Sequence, residues 1–408
     1  MAWLYPPQSP FSKAILRTHL HNPLLRFWFD CLAGRDTAAL AERAGRLTPA
    51  DWQELDTLTQ RHQLTPMLYW RLRESGAASA VPSPLRGEWQ QTYYASVRRS
   101  ILCERDLGQV LAALARTGVS PILFKGSHLA FWVYPAAACR PMNDLDLWVT
   151  RAEVPRAQAA LEQLGYVRDP KGLRVFRWQG PRDGEIHMLG QKRGQVSVDL
   201  HWGVFHGEWL HRTTQVDRAG VEARARTVTL AGCPARVLEP ADALIQIAVH
   251  LATNHYMSGS VLRSLLDVVA LAQEVRDWND VAGRAVRWRV ANTVGLVLAT
   301  CDALIGLPEA RSAVARLRPS ALRRTLIQPF VNPASVLAAR NLRTTRLRWL
   351  FLFALADRPL DALRLLFRLI WPEDASLRIL YGRSTWRVRA GYLLRPFVRR
   401  IRMTGTLT

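Results

Sequence analysis

Asn143-Asp144-Leu145-Asp146-Leu147-Trp148-Val149 and, further along, Gln195-Val196-Ser197-Val198-Asp199-Leu200-His201-Trp202 are the two runs that decide the fold. Both are apolar and rich in β-formers, so both read as strands. Side chains alternate faces along a strand, which sends Asp144 and Asp146 the same way, roughly 6.5–7 Å apart. Leu145 and Leu147 then point to the opposite, core side. If the second run lies beside the first, Asp199 completes a three-carboxylate cluster. Unit charges about 4 Å apart repel by about 4 kcal/mol at an effective dielectric near 20. Such a cluster needs a cation, either an arginine or a hard divalent metal that prefers oxygen ligands.

The segments around these runs complete a compact unit. Ser120-Pro121-Ile122-Leu123-Phe124 reads as a short strand ending at Lys125-Gly126-Ser127, with a helix starting between His128 and Tyr134. Ala152 to Leu164 is a helix stopped by Gly165. Arg174 to Trp178, Glu185 to Leu189 and Ala225 to Leu230 alternate as further strands. The expectation is a mixed-sheet α+β module over residues 118–235, with its first part, 118–205, carrying helices on one face.

Helical regions flank it. Residues 1–117 form an N-terminal helical region, the helical pattern running from about Asn22 to Thr117 and including a start at Thr48-Pro49, where a Thr cap precedes a proline at the first helical position. Residues 236–335 carry apolar stripes over Ala241–Thr253, Ser260–Arg276 and Trp278–Leu304. From 336 to 408 a basic tail interleaves arginines with Trp349, Phe351, Phe353, Phe367, Trp371, Trp386 and Phe397. A basic aromatic helix suits an anionic membrane surface or a nucleic-acid backbone; the plainer reading packs the aromatics inward and solvates the arginines.

Composition narrows the class. With 49% hydrophobic and 22% charged residues the chain is globular rather than disordered. Its net charge of +22 favours an anionic partner, although only Lys13, Lys125, Lys171 and Lys192 are lysines, and so strong an arginine bias can also reflect coding composition. The five cysteines lack any CxxC spacing, which argues against a zinc site or disulfide framework. Met1-Ala2-Trp3-Leu4-Tyr5-Pro6-Pro7 has no secretory pattern, and the longest apolar run, Leu350 to Ala356, is too short to span a bilayer. A cytoplasmic protein, peripheral to a membrane at most, is expected.

Leu123-Phe124-Lys125-Gly126-Ser127, Arg140-Pro141-Met142-Asn143-Asp144-Leu145-Asp146 and Val198-Asp199-Leu200-His201-Trp202 together resemble the uncharacterised bacterial nucleotidyltransferases of the DNA polymerase beta-like superfamily. The likeness extends over about residues 20–310 and takes in His250-Leu251, Leu265-Leu266-Asp267 and Asp277-Trp278. It implies a nucleotidyltransferase-like fold and Mg²⁺-dependent transfer of NMP from a nucleoside triphosphate such as ATP to an acceptor. By resemblance Asp144 and Asp146 bridge two Mg²⁺ ions, while Asp199 binds the catalytic one and helps deprotonate the acceptor. The Gly126-Ser127 turn holds the triphosphate, glycine allowing close backbone approach. Lys125 is a phosphate ligand or pairs with the carboxylates in the absence of metal; Arg140 contacts a phosphate or pairs with Asp144. His201, on the face of Asp199, contacts acceptor or phosphate or simply packs. Glu185 and His187 are weaker candidates, and His250, His255 and Asp267 are expected in core or supporting roles. The competing reading is a non-catalytic protein of the same fold that binds RNA or an anionic membrane through its basic tail.

Overall fold

In the computed structural model, residues 22–169, 184–205, 207–340, 348–371 and, in part, 374–391 are described. The expected strand at Arg174–Trp178 and the tail residue Phe397 lie outside them. The described residues begin with helices α1 (Pro23–Ala33), α2 (Pro49–Arg61), α3 (Thr65–Glu74) and the long α4 (Ser83–Arg116). Thr48 caps α2 as expected: its side chain accepts the Asp51 amide while Asp51 returns a bond to the Thr48 amide.

Among the described residues seven strands form one mixed sheet: β1 (Ile122–Leu123), β2 (Asp144–Trp148), β3 (Tyr166–Arg168), β4 (Glu185–Gly190), β5 (Ser197–His201), β6 (Arg226–Leu230) and β7 (Cys233–Val237), in the order β3-β4-β5-β2-β1-β7-β6. A short helix, α5 (Lys125–His128), follows β1 and widens into a π-turn over Leu129–Val133. Helix α6 (Val154–Gln163) follows β2 and ends at Gly165, whose φ of 89° suits only a residue without a Cβ.

Two strands go beyond the sequence expectation. β3 follows directly on α6 and pairs with β4. β7 pairs parallel with β1 and antiparallel with β6, so the sheet continues past residue 235 to Val237. The β6–β7 hairpin turns on Ala231 and Gly232, both at positive φ, the geometry of a two-residue primed turn. Alanine disfavours that conformation, which is why the turn does not announce itself.

One sheet face is covered as expected. Leu145, Leu147, Val198 and Leu200 pack with Leu107 and Leu111 of α4 and with Ala157 and Leu161 of α6. Helices cover the opposite face too, which corrects the expectation of a one-sided unit. Ile122, Phe124 and Trp148 join a second core with the helices after the sheet: α7 (Pro240–Val249), α8 (Val261–Ala272), α9 (Trp278–Arg287) and α10 (Ala291–Leu304). The apolar stripe from Trp278 to Leu304 is two helices rather than one, because Arg289 takes a left-handed φ of 59° between them. Further on come α11 (Ala321–Ile327), α12 (Arg348–Leu355) and α13 (Pro359–Ile370). Among the described residues no helix is long and apolar enough to cross a membrane.

The connection from α5 to β2 is tied to the C-terminal helices by a buried ion pair. Arg140 donates from Nε and Nη2 to the two carboxylate oxygens of Asp267 on α8, at 3.2 and 2.9 Å, and the Tyr134 hydroxyl donates to Asp267 Oδ1 at 2.8 Å. Asp267 is fully buried, so removing it strands a guanidinium inside the protein. Asp267→Ala is expected to cost about 3–5 kcal/mol of stability, read as a lowered urea midpoint. A loss under about 1 kcal/mol, as for an exposed pair, would show that the pair does not tie the two parts together.

Candidate active site

Register brings the acids together. β2 and β5 run parallel with Asp146 opposite Asp199 and Trp148 opposite His201. β4 lies antiparallel on the other side of β5, with His187 opposite Asp199 and Glu185 opposite His201. Alternation therefore places Asp144, Asp146, Asp199, His201, Glu185 and His187 on one face, away from the leucines that fill the α4–α6 side.

Among the described residues, one oxygen each of Asp146 and Asp199 and one ring nitrogen of His201 lie within 4.8 Å of one another. Asp146 and His201 are buried, and Asp199 is partly open. Two oxygens and an imidazole nitrogen at such spacing are a workable donor set for a divalent cation. The expected set was Asp144, Asp146 and Asp199; in the structure His201 stands in the cluster and Asp144 sits one step along the same strand face.

Cations of the chain sit against these acids. Lys125 takes a φ of 48°, turning the chain at the end of β1, and its ammonium lies 2.8 Å from Asp146 Oδ1 and 3.4 Å from His201 Nε2. His201 Nε2 is 3.2 Å from the same Asp146 oxygen, its Nδ1 is 3.3 Å from Glu185 Oε2, and its ring meets Phe124 edge-on. His187 Nδ1 makes a short ion pair with Asp199 Oδ1. Of the two readings of Lys125, the lysine–carboxylate pair is the arrangement present here.

The neighbouring acids are held at different proton affinities. Burial pushes the Asp144 carboxyl up to about 6, and the charges of Asp146 and Asp199 add to the rise. Burial acts the same way on Asp146, but the Lys125 ammonium and His201 outweigh it and hold Asp146 below the usual carboxylate range. The bond to Asp199 raises His187 above its ordinary value.

The turn after β1 is built for support as well as access. Ser127 is fully buried and its Oγ accepts the amide of Asp146 at 2.7 Å, fixing the strand that carries the acid. A Cβ on Gly126 would come 3.0 Å from Arg140 Nη1 and 3.3 Å from Met142, so the close approach at this glycine is made by the loop before β2. Arg140, expected at a phosphate or against Asp144, is instead committed to Asp267. The reason is geometric: the Asp267 carboxylate meets the guanidinium with two parallel bonds.

Two further residues belong here: His187, a weaker candidate in the sequence, and Arg263, which the sequence did not single out. His187 needed only the β4–β5 hairpin register to be placed on Asp199. Arg263 on α8, one turn before Asp267, had no sequence signal beyond that spacing. Its Nη1 donates to Gln63 Oε1 at 2.8 Å and to the Pro141 carbonyl at 3.5 Å, both neutral acceptors, while its Nε is buried without a partner. Burial lowers its proton affinity and so does Arg140 nearby, outweighing the opposite pull of Asp267, Tyr134 and Asp144. His250 and His255 bond to each other at 2.9 Å in the π-turn after α7.

A carboxylate binds a divalent cation only when ionised. With Asp144 near 6, divalent-cation affinity is expected to rise about tenfold between pH 5 and pH 7. Calorimetry with Mn²⁺ across that range should show the rise in the native protein and lose it in Asp144→Asn; an unchanged profile in the variant would remove Asp144 from the metal-binding set.

A protein-family model described as an uncharacterised nucleotidyltransferase matches residues 48–306, more than half of the chain. No curated protein and no solved structure matches it.

Proposed function

The chain belongs to the uncharacterised nucleotidyltransferase family, and from that membership we propose that it transfers a nucleoside monophosphate from a nucleoside triphosphate to an acceptor hydroxyl, amine or phosphate, with Mg²⁺ as its metal. The observation that carries this reading is the cluster of Asp146, Asp199 and His201 donor atoms within 4.8 Å. It lies at the end of a strand–Lys-Gly-Ser–helix turn.

Asp144, Asp146 and Asp199 would hold the metal, with His201 completing the donor set at Asp146. Divalent metal in such a site stabilises the attacking and leaving oxygens of the displacement. Asp199 would accept the acceptor's proton while its bond to His187 keeps the carboxylate oriented. Lys125 would leave Asp146 for the triphosphate, acting as a mobile point charge. Its four-carbon stem allows that exchange; the fixed fork of Arg140 does not, and that arginine keeps its structural duty.

Arg263 suits the other end of the triphosphate. The hydrogen bonds of this partly buried guanidinium go to neutral acceptors, and Asp267 and Asp144 act on it only as nearby charges. Arg263 lies over Pro141, in the segment leading into Asp144, and an anionic phosphate there would give it a directly bonded anion. The acceptor pocket would be shaped by α7 and α8 on the same side of the sheet.

Incubation with labelled nucleoside triphosphates and cell extract tests the proposal. Asp146→Asn is expected to reduce transfer at least about a hundredfold; it also deprives the Lys125 ammonium of its carboxylate, so transfer is read at a temperature where circular dichroism shows the variant folded, and wild-type transfer by this variant would contradict the proposal. Lys125→Ala separates the two roles of the lysine. It is expected to weaken nucleotide binding about tenfold or more while divalent-cation binding without nucleotide is retained or tightened. Weaker metal binding in that variant would show that the ammonium supports the metal site rather than yielding to it.

A further inference from the structure

The basic character of the chain is concentrated outside the part that carries the site. Residues 310–408 hold twenty arginines and no lysine against four acids, Asp357, Asp361, Glu373 and Asp374, a net +16 out of the chain's +22. Three of these acids are engaged within the fold. Asp357 accepts the amides of Ala291 and Asn292, Asp361 is buried, and Asp374 pairs with Arg389. Asp374 is itself exposed, but among the described residues the exposed charge of this segment is otherwise positive.

Exposed apolar surface gathers in the same place. Of fourteen large hydrophobic side chains exposed among the described residues, nine lie between 322 and 386. Helix α13 contributes four of them. Leu360, Leu363 and Phe367 are 56, 61 and 60% exposed and stand at i, i+3 and i+7, one side of a helix, with Leu366 at its edge. Trp371 ends the helix and Trp386 is 75% exposed further on. Arg358 before the helix and Arg364 within it are also exposed, so the apolar strip is bordered by cationic groups.

We propose that α13, with Trp371 and Trp386, forms a docking face for an anionic lipid bilayer, with the leucines and Phe367 entering the headgroup–acyl boundary and the exposed Arg358, Arg364 and Arg387 meeting the lipid phosphates. A strip of leucine with aromatic and arginine neighbours is the composition of an interfacial helix. A nucleic acid fits less well, because aliphatic leucines offer bases no stacking surface and would stay in water. A second copy of the chain fits less well again, since it would bring two segments of net +16 together. This surface lies outside residues 48–306 and its assignment does not depend on the transferase reading.

Co-sedimentation of the full-length protein with vesicles tests it directly. Binding to vesicles of phosphatidylcholine with about one-third phosphatidylserine is expected, weakening at least tenfold when phosphatidylserine is omitted or NaCl is raised to about 0.5 M. Leu363→Glu with Phe367→Glu is expected to lower the apparent affinity at least tenfold. Both side chains are exposed, so the thermal midpoint should not move. Arg358→Glu with Arg387→Glu, which leaves the apolar strip intact, should weaken binding to anionic vesicles in the same direction. Absence of vesicle binding, equal binding to neutral vesicles, or unaltered binding by the Leu363/Phe367 variant would each overturn the proposal. So would salt-sensitive binding of single-stranded RNA that is lost in the Leu363/Phe367 variant while vesicles are ignored.

Discussion

The parallel pairing of β2 with β5, Asp146 opposite Asp199, is the constraint on which the rest of the molecule depends. Neighbouring strands lie about 4.8 Å apart, so two carboxylates on one face at one register position are forced into each other's field. The leucines between them make this register hard to escape: Leu145, Leu147, Val198 and Leu200 are fully buried on the other side, and a one-residue slip would expose them and bury the acids. Hydrophobic burial thus holds an electrostatically unfavourable pair in place. The chain relieves the repulsion with Lys125 on Asp146 and His187 on Asp199. Asp144, without such a partner, answers by holding its proton up to about pH 6. A site already balanced by its own cations can exchange one of them for metal and substrate without rearranging the sheet.

Much of this was legible in the sequence because it rests on period-two alternation. The strands bearing Asp144, Asp146 and Asp199, the Lys125 turn, the Gly165 stop and the capped helix at Thr48 follow from local pattern alone. What escaped depends on partners distant in the chain. Arg140 read as a neighbour of Asp144, since nothing local shows that Asp267, on a helix after the sheet, offers it a bidentate carboxylate. The place of His201 beside Asp146 needed the relative register of two strands, and His187 needed a third. β7 was hidden because its turn uses Ala231 in a conformation alanine rarely adopts, and the break at Arg289 was hidden for the same kind of reason.

The helices do more than cover the sheet. α4 and α6 fill one face and leave the other to the acids, while α8 clamps the loop before β2 through Asp267 and presents Arg263 over the same loop. Site geometry is therefore fixed from both sides: Ser127 braces Asp146 from within the module, and α8 braces the approach to Asp144 from outside it. Residues 310–408 carry most of the excess positive charge, well along the chain from these acids. The proposed nucleotide site and the proposed lipid-facing surface thus fall in different segments of one chain.

Diffraction from crystals soaked with Mn²⁺ and a non-hydrolysable nucleoside triphosphate analogue, with data collected at the manganese edge, tests the central assignment most directly. The expected result is anomalous density coordinated by Asp146 and Asp199, with the Lys125 ammonium moved from Asp146 onto the triphosphate. Nucleotide bound elsewhere, or no manganese at these acids with the Lys125–Asp146 pair intact, would contradict it.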